Sequence, residues 1–193
     1  MHCKSYSIFF AAAVSTLPTL ACAEPVTFEE LENHRVTASF VYARTIRRME
    51  ENRIVKNEQR STITLTIRPE NRIHQEAKVQ VVTLNGREIG NFTGNLSAEL
   101  NTPRQWRNGD MVFVFEQGNL IRLQTFDTGG RKITFAFTRS PSGYTCTVDA
   151  PFSKEEGTSG AISTTSRLSN QRIEILAATL KSSSCQVLKL EGN

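Results

Sequence analysis

Residues 106–150 constrain the fold more than any other part of the chain. Four short runs rich in Val, Ile, Phe and Thr (111–116, 120–127, 133–139 and 144–148) are separated by three breaks that contain Gly118, Gly129-Gly130 and Gly143. Glycine supplies the positive φ of a hairpin turn, and β-branched and aromatic residues suit a pleated, half-buried surface. Four antiparallel strands are expected here.

The segments before it carry the same period. Val36, Ala38, Phe40 and Tyr42 alternate with Thr37, Ser39, Val41 and Ala43, and Ile63, Leu65 and Ile67 alternate with Thr62, Thr64 and Thr66. Each pattern describes a strand with one buried and one wet face. Pro69-Glu70-Asn71 reads as a turn, followed by a strand over 72–84 with Ile73, Ala77, Val79 and Val81 on its apolar side. Asn85-Gly86 is a type I′ hairpin signal that returns the chain through Ile89 and Phe92. Residues 50–58 are polar and read as a loop, and 95–107 are the least regular, broken by Pro103. Phe28 and Leu31 are three apart and indicate a single helical turn within 24–33.

Beyond 148, residues 151–160 read as an exposed loop and 162–168 as a weak strand. In 169–180, Ile173, Leu176, Ala177 and Leu180 have helical spacing, while Ile173, Ile175 and Ala177 alternate. The strand reading is preferred, with Ser182, Ser183 and Ser184 turning the chain into 186–190, because Cys185 then lies on a strand able to face Cys146. Roughly eight to ten short strands with regular turns indicate one all-β domain over 24–193. The expected architecture is an antiparallel meander closing into a barrel or a two-sheet sandwich, with at most one short helix.

Residues 1–23 read as an export signal outside that domain. Lys4 supplies the positive charge, residues 8–14 are apolar throughout, and Ala21-Cys22-Ala23 places small residues before the cut. The apolar run falls short of the roughly 20 residues that cross a bilayer, so no membrane span is expected. A rival reading cleaves before Cys22 and attaches lipid to its thiol, since Thr19-Leu20-Ala21-Cys22 resembles a bacterial lipoprotein box with Thr19 in place of Leu. Export leads to an oxidising compartment, periplasmic or extracellular. Of the four cysteines, Cys3 and Cys22 belong to the signal, which leaves Cys146 and Cys185 to form one structural disulfide.

The chemistry-bearing residues are sparse. Formal charge falls from +4 to +3 once Lys4 leaves, a mild balance. Arg44, Arg47, Arg48 and Arg53 cluster, but Glu50, Glu51 and Glu58 are interleaved and no aromatic platform accompanies them. A solvated strand end is expected there, not a nucleic-acid surface. His34 and His74 have no partner at metal-ligand spacing and read as lone surface or loop residues, so no metal or cofactor is expected. No Gly-x-Ser-x-Gly occurs, and Gly129-Gly130 lies between strands, where it cannot open a phosphate-binding helix. Asn91-Phe92-Thr93 and Asn95-Leu96-Ser97 match the N-glycosylation pattern, which matters only in a eukaryotic secretory pathway; a bacterial origin is favoured.

Two functional expectations follow. The first is a non-catalytic exported domain that binds a small ligand or an envelope or extracellular partner. Phe113, Phe115, Phe126, Phe135 and Phe137 would either fill its core or line a cavity. The alternative is a hydrolase of an envelope or extracellular polymer that draws carboxylates from Asp110, Glu116, Asp127, Glu155 or Glu156. No catalytic residue is assigned.

Overall fold

The computed structural model describes residues 26–106, 109–116, 120–125, 132–150, 162–166 and 171–191. A 3-10 turn at Glu29–Leu31 precedes β1 (His34–Arg48), β2 (Arg53–Arg68), β3 (Arg72–Thr83) and β4 (Glu88–Glu99). Next come β5 (Arg104–Trp106), β6 (Gly109–Glu116), β7 (Leu120–Thr125), β8 (Lys132–Ser140) and β9 (Gly143–Asp149), then β10 (Ile162–Ser166) and β11 (Gln171–Lys189). They form a six-stranded sheet in the order β10-β11-β1-β2-β3-β4 and a five-stranded sheet in the order β5-β6-β7-β8-β9. All pairings are antiparallel, and within each run of β1–β4 and β5–β9 the neighbours are consecutive hairpins. The meander is therefore as expected. It does not close into a barrel: the two sheets face one another as a sandwich.

One core joins them. Val36, Ala38 and Phe40 on β1, Leu65 and Ile67 on β2, and Phe113, Phe135 and Phe137 from the second sheet are buried in a single cluster with Phe28 and Leu31. Full burial of each such large side chain is worth about 1.5–3 kcal/mol. Phe113, Phe135 and Phe137 are thus core residues, and Phe115 meets Phe28 edge-on at 5.8 Å. Phe126 lies outside the described residues.

Polar links tie the sheets at several points. The Asn101 amide donates to the Phe113 carbonyl at 2.7 Å, and the Tyr42 hydroxyl donates to the Ala150 carbonyl. Cys146 on β9 and Cys185 on β11 are disulfide-bonded, with Cα atoms 5.5 Å apart, as the sequence led one to expect. The 3-10 turn is clamped twice. Thr27 and Glu30 form a reciprocal capping box (Thr27 N–H to Glu30 Oε2 2.7 Å, Glu30 N–H to Thr27 Oγ1 3.4 Å), and Glu30 also pairs with Arg139 of β8.

Several local expectations are corrected. β2 begins at Arg53, not after a loop ending at 58: Asn52 at φ 46° makes the turn, and after Val55 the inward positions Asn57, Gln59 and Ser61 are polar, so no run of apolar alternation announces it. β4 continues to Glu99 through residues read as irregular, because β3 supplies a partner for each of them. The Asn85-Gly86 hairpin is in place but is not type I′. The Gly86 amide bonds the Thr83 carbonyl and the Thr83 amide bonds the Arg87 carbonyl, both at 2.9 Å, and only Gly86 has positive φ (84°). That is a type I turn ending in a left-handed glycine. Ser182, Ser183 and Ser184 do not turn the chain; they pair with Val41, Phe40 and Ser39 inside a continuous 19-residue strand. β1 is long enough to hold β11 straight through the serines, absorbing the mismatch in two register shifts. The signal segment 1–23, the loop 151–160, and Gly118, Gly129 and Gly130 lie outside the described residues.

Candidate functional site

The inward face of the larger sheet is apolar over its first half and then changes character. Along β2, Ile67, Leu65 and Ile63 face in, followed in the same phase by Ser61, Gln59 and Asn57, and then by Val55. Along β1 the matching inward positions are Val36, Ala38, Phe40, Tyr42, Arg44 and Ile46. Register places Asn57 opposite Arg44, Gln59 opposite Tyr42 and Ser61 opposite Phe40. A polar band on β1 and β2 therefore lies between the main core and a second apolar cluster of Ile46, Ile173 and Ile175, against which Val55 and Ala178 pack.

The band is buried and bonded in series. Arg44 is 7% exposed, Asn57 2%, Gln59 3% and Ser61 9%. Arg44 donates from Nε to Asn57 Oδ1 (3.0 Å) and from a terminal nitrogen to Gln59 Oε1 (2.6 Å), and Gln59 Nε2 donates to Ser61 Oγ (3.1 Å). Arg44 makes a further interaction besides these. One donor is left over: Asn57 Nδ2 is buried with no hydrogen-bond partner. Leaving such a group unsatisfied costs about 1–3 kcal/mol. Gln75 Oε1 is a second orphan, but Gln75 sits opposite Leu65, eight residues along β2 from Asn57, or about 27 Å at strand rise. The two orphans do not share a site.

Arg44 is the main correction at this level. The sequence places it with Arg47, Arg48 and Arg53 at a solvated strand end, whereas it points inward. Arg47 instead pairs with Glu174 at 3.0 Å and Arg48 with Glu51 at 3.4 Å, while Arg53 is exposed. His34 is likewise not a surface residue. It is 9% exposed, with Nδ1 2.9 Å from the Glu32 carbonyl and its ring edge-on to Tyr144. His74 lies on the outer face beside Ser97, at 2.8 Å. Among the described residues no group of three or more His, Cys, Asp or Glu converges on a metal position, and no helix is long and apolar enough to cross a membrane.

Of the carboxylates of the hydrolase reading, the two among the described residues, Asp110 and Glu116, are not brought together. Asp110 and Glu116 sit six residues apart on β6, about 20 Å along the strand, whereas glycosidase pairs need about 5–10 Å. Asp127, Glu155 and Glu156 lie outside the described residues. Sequence reasoning missed the polar band because it looked for apolar alternation. The signal was there in the phase: counting back by twos from Ile67 lands on Ser61, Gln59 and Asn57. No family model matches the chain, and neither does any curated protein or solved structure.

Proposed function

We propose that the chain is an exported, non-catalytic β domain of the periplasm or extracellular space that binds a small ligand at the inward polar band. The leader-like residues 1–23 and the Cys146–Cys185 cross-link support export. Binding rests on one observation, the unpartnered Asn57 Nδ2 beside the Arg44 guanidinium. A ligand carrying a carboxylate, sulfonate or phosphate oxygen would satisfy that donor, and an apolar body would lie against Ile46, Ile173 and Ile175. The band has no carboxylate among the described residues, and no base stands beside the Ser61 hydroxyl there, so it is suited to holding a molecule rather than cleaving one.

Anilinonaphthalenesulfonate, an anionic head on an apolar body, is the test probe. The native protein should bind it saturably, one molecule per chain, and Asn57→Leu should weaken that binding at least about tenfold, or 1.4 kcal/mol. The circular-dichroism spectrum of the variant checks that it still folds. Non-saturable uptake, or equal affinity in the variant, would overturn the assignment.

A further inference from the structure

Aliphatic side chains stand in water at one end of the larger sheet: Met49 is 47% exposed, Ile54 56% and Leu84 66%. Arg48 pairs with Arg53, so Met49 opens the β1–β2 turn, and Leu84 opens the β3–β4 turn directly after Thr83. Because Thr83 stands opposite Asn57, Leu84 comes beside Lys56, and Ile54 is two residues further along β2. Both turns therefore sit at the same end of the sheet, and the stretch of β2 before Asn57 carries the first about 13 Å beyond the second. Turns favour Gly, Asn, Asp, Ser and Pro, and Met49 and Leu84 bury little of their surface against this chain. The cations at this end are only partly answered. Arg47 pairs with Glu174 and Arg48 with Glu51, whereas Arg53, Lys56 and Arg87 are exposed and make no ion pair among the described residues. Glu88 is held by Gln80 (3.2 Å) and Asn91 (2.7 Å), which leaves Glu50 as the acid here without a partner among the described residues.

We propose that this end docks on an anionic lipid bilayer, with Met49, Ile54 and Leu84 entering the interfacial layer and Arg53, Lys56 and Arg87 meeting headgroup phosphates. Shape selects a bilayer over a protein. Two turns at different heights present three separate aliphatic side chains, whereas a stable protein interface needs about 800 Å² of matched surface on each partner. A bilayer has no fixed contour to match. Its surface layer takes up aliphatic tips, and long basic side chains reach the phosphates with their charged ends. Charge selects an anionic surface over a neutral one, because the unanswered cations gain only where the surface is negative. None of the polar-band side chains takes part: Arg44, Asn57 and Gln59 are buried, so docking stands whether or not the band holds a ligand.

Protein processed after Ala23, which carries no lipid, is the material for the test. It should float with vesicles of equal parts phosphatidylcholine and phosphatidylglycerol, the bound fraction should fall as salt is raised, and pure phosphatidylcholine should retain far less. Ile54→Ser combined with Leu84→Ser should weaken partitioning at least about tenfold. Arg53→Gln combined with Arg87→Gln should remove most of the salt dependence. All four side chains are exposed, so the strand spectra should be unchanged. Met49→Trp, read against the parent with its single Trp106, should shift its fluorescence to the blue on adding the mixed vesicles. Ser142→Trp should not, because it lies in the β8–β9 turn beside Tyr144, whose ring meets His34 at the opposite end of β1. Parent protein that stays in the buffer, equal responses from Met49→Trp and Ser142→Trp, or undiminished partitioning of the Ile54→Ser, Leu84→Ser variant would each overturn the proposal. So would a two-chain mass without vesicles that the same pair of substitutions dissolves, since the aliphatic tips would then serve self-association.

Discussion

At the scale of single residues, two buried amides do opposite things with the same deficit. Asn57 lacks a partner for its nitrogen but stands against Arg44, where a ligand oxygen would complete the set. Gln75 lacks a partner for its oxygen at 2% exposure, with Leu65 and Leu96 as its cross-strand neighbours. An apolar replacement there removes an unmet acceptor, so Gln75→Leu should raise stability by about 1–2 kcal/mol in urea unfolding. Gly86 presents the reverse case. Nothing lies within 4 Å of where its Cβ would be, so Gly86→Val should lose about 1–2 kcal/mol through backbone strain at φ 84° alone, and Gly86→Asn should lose less. Glu30 supplies a pH test. The Thr27 backbone amide and then Arg139 hold its carboxyl below the usual carboxylate range. Its contribution is therefore complete above the unfolded-state value near about pH 4 and is lost as pH falls through the lower folded-state value. Glu30→Gln should be less stable than the native chain at neutral pH, with the gap narrowing in acid.

At the scale of elements, β11 carries the clearest expectation. Three consecutive serines resemble a turn, yet their backbone is paired to β1 throughout. Hydrogen exchange should therefore show protected amides continuing through Ser182–Ser184; a gap in protection there would mean that the strand is two. The four strands at residues 106–150 were legible because Phe113, Phe135 and Phe137 supply both alternation and bulk. The start of β2 was not, since Asn57, Gln59 and Ser61 are inward yet polar, and their strand state is imposed by β1 and β3 on either side. The candidate site hid for the same reason. Residues that break the apolar pattern are the ones with a use for their polarity, so the pattern fails where the band begins. The disulfide could be anticipated by elimination, whereas the burial of Arg44 required knowing which way its strand faced.

At the scale of the molecule, two sheets share one core but, among the described residues, exchange no ladder, so their relative position depends on side chains, a few backbone bonds and the Cys146–Cys185 link. Cys146→Ala should lower the free energy of unfolding by about 2–5 kcal/mol, and equal urea midpoints for variant and parent would show that the bridge contributes nothing. The same bond has a topological effect. It spans 39 positions, so the polypeptide between its ends is a covalent ring carrying both termini as tails. A protease that cuts once inside that ring severs the backbone without releasing a fragment. The nicked protein should run as a single species without reductant and separate into two pieces only when thiol is added.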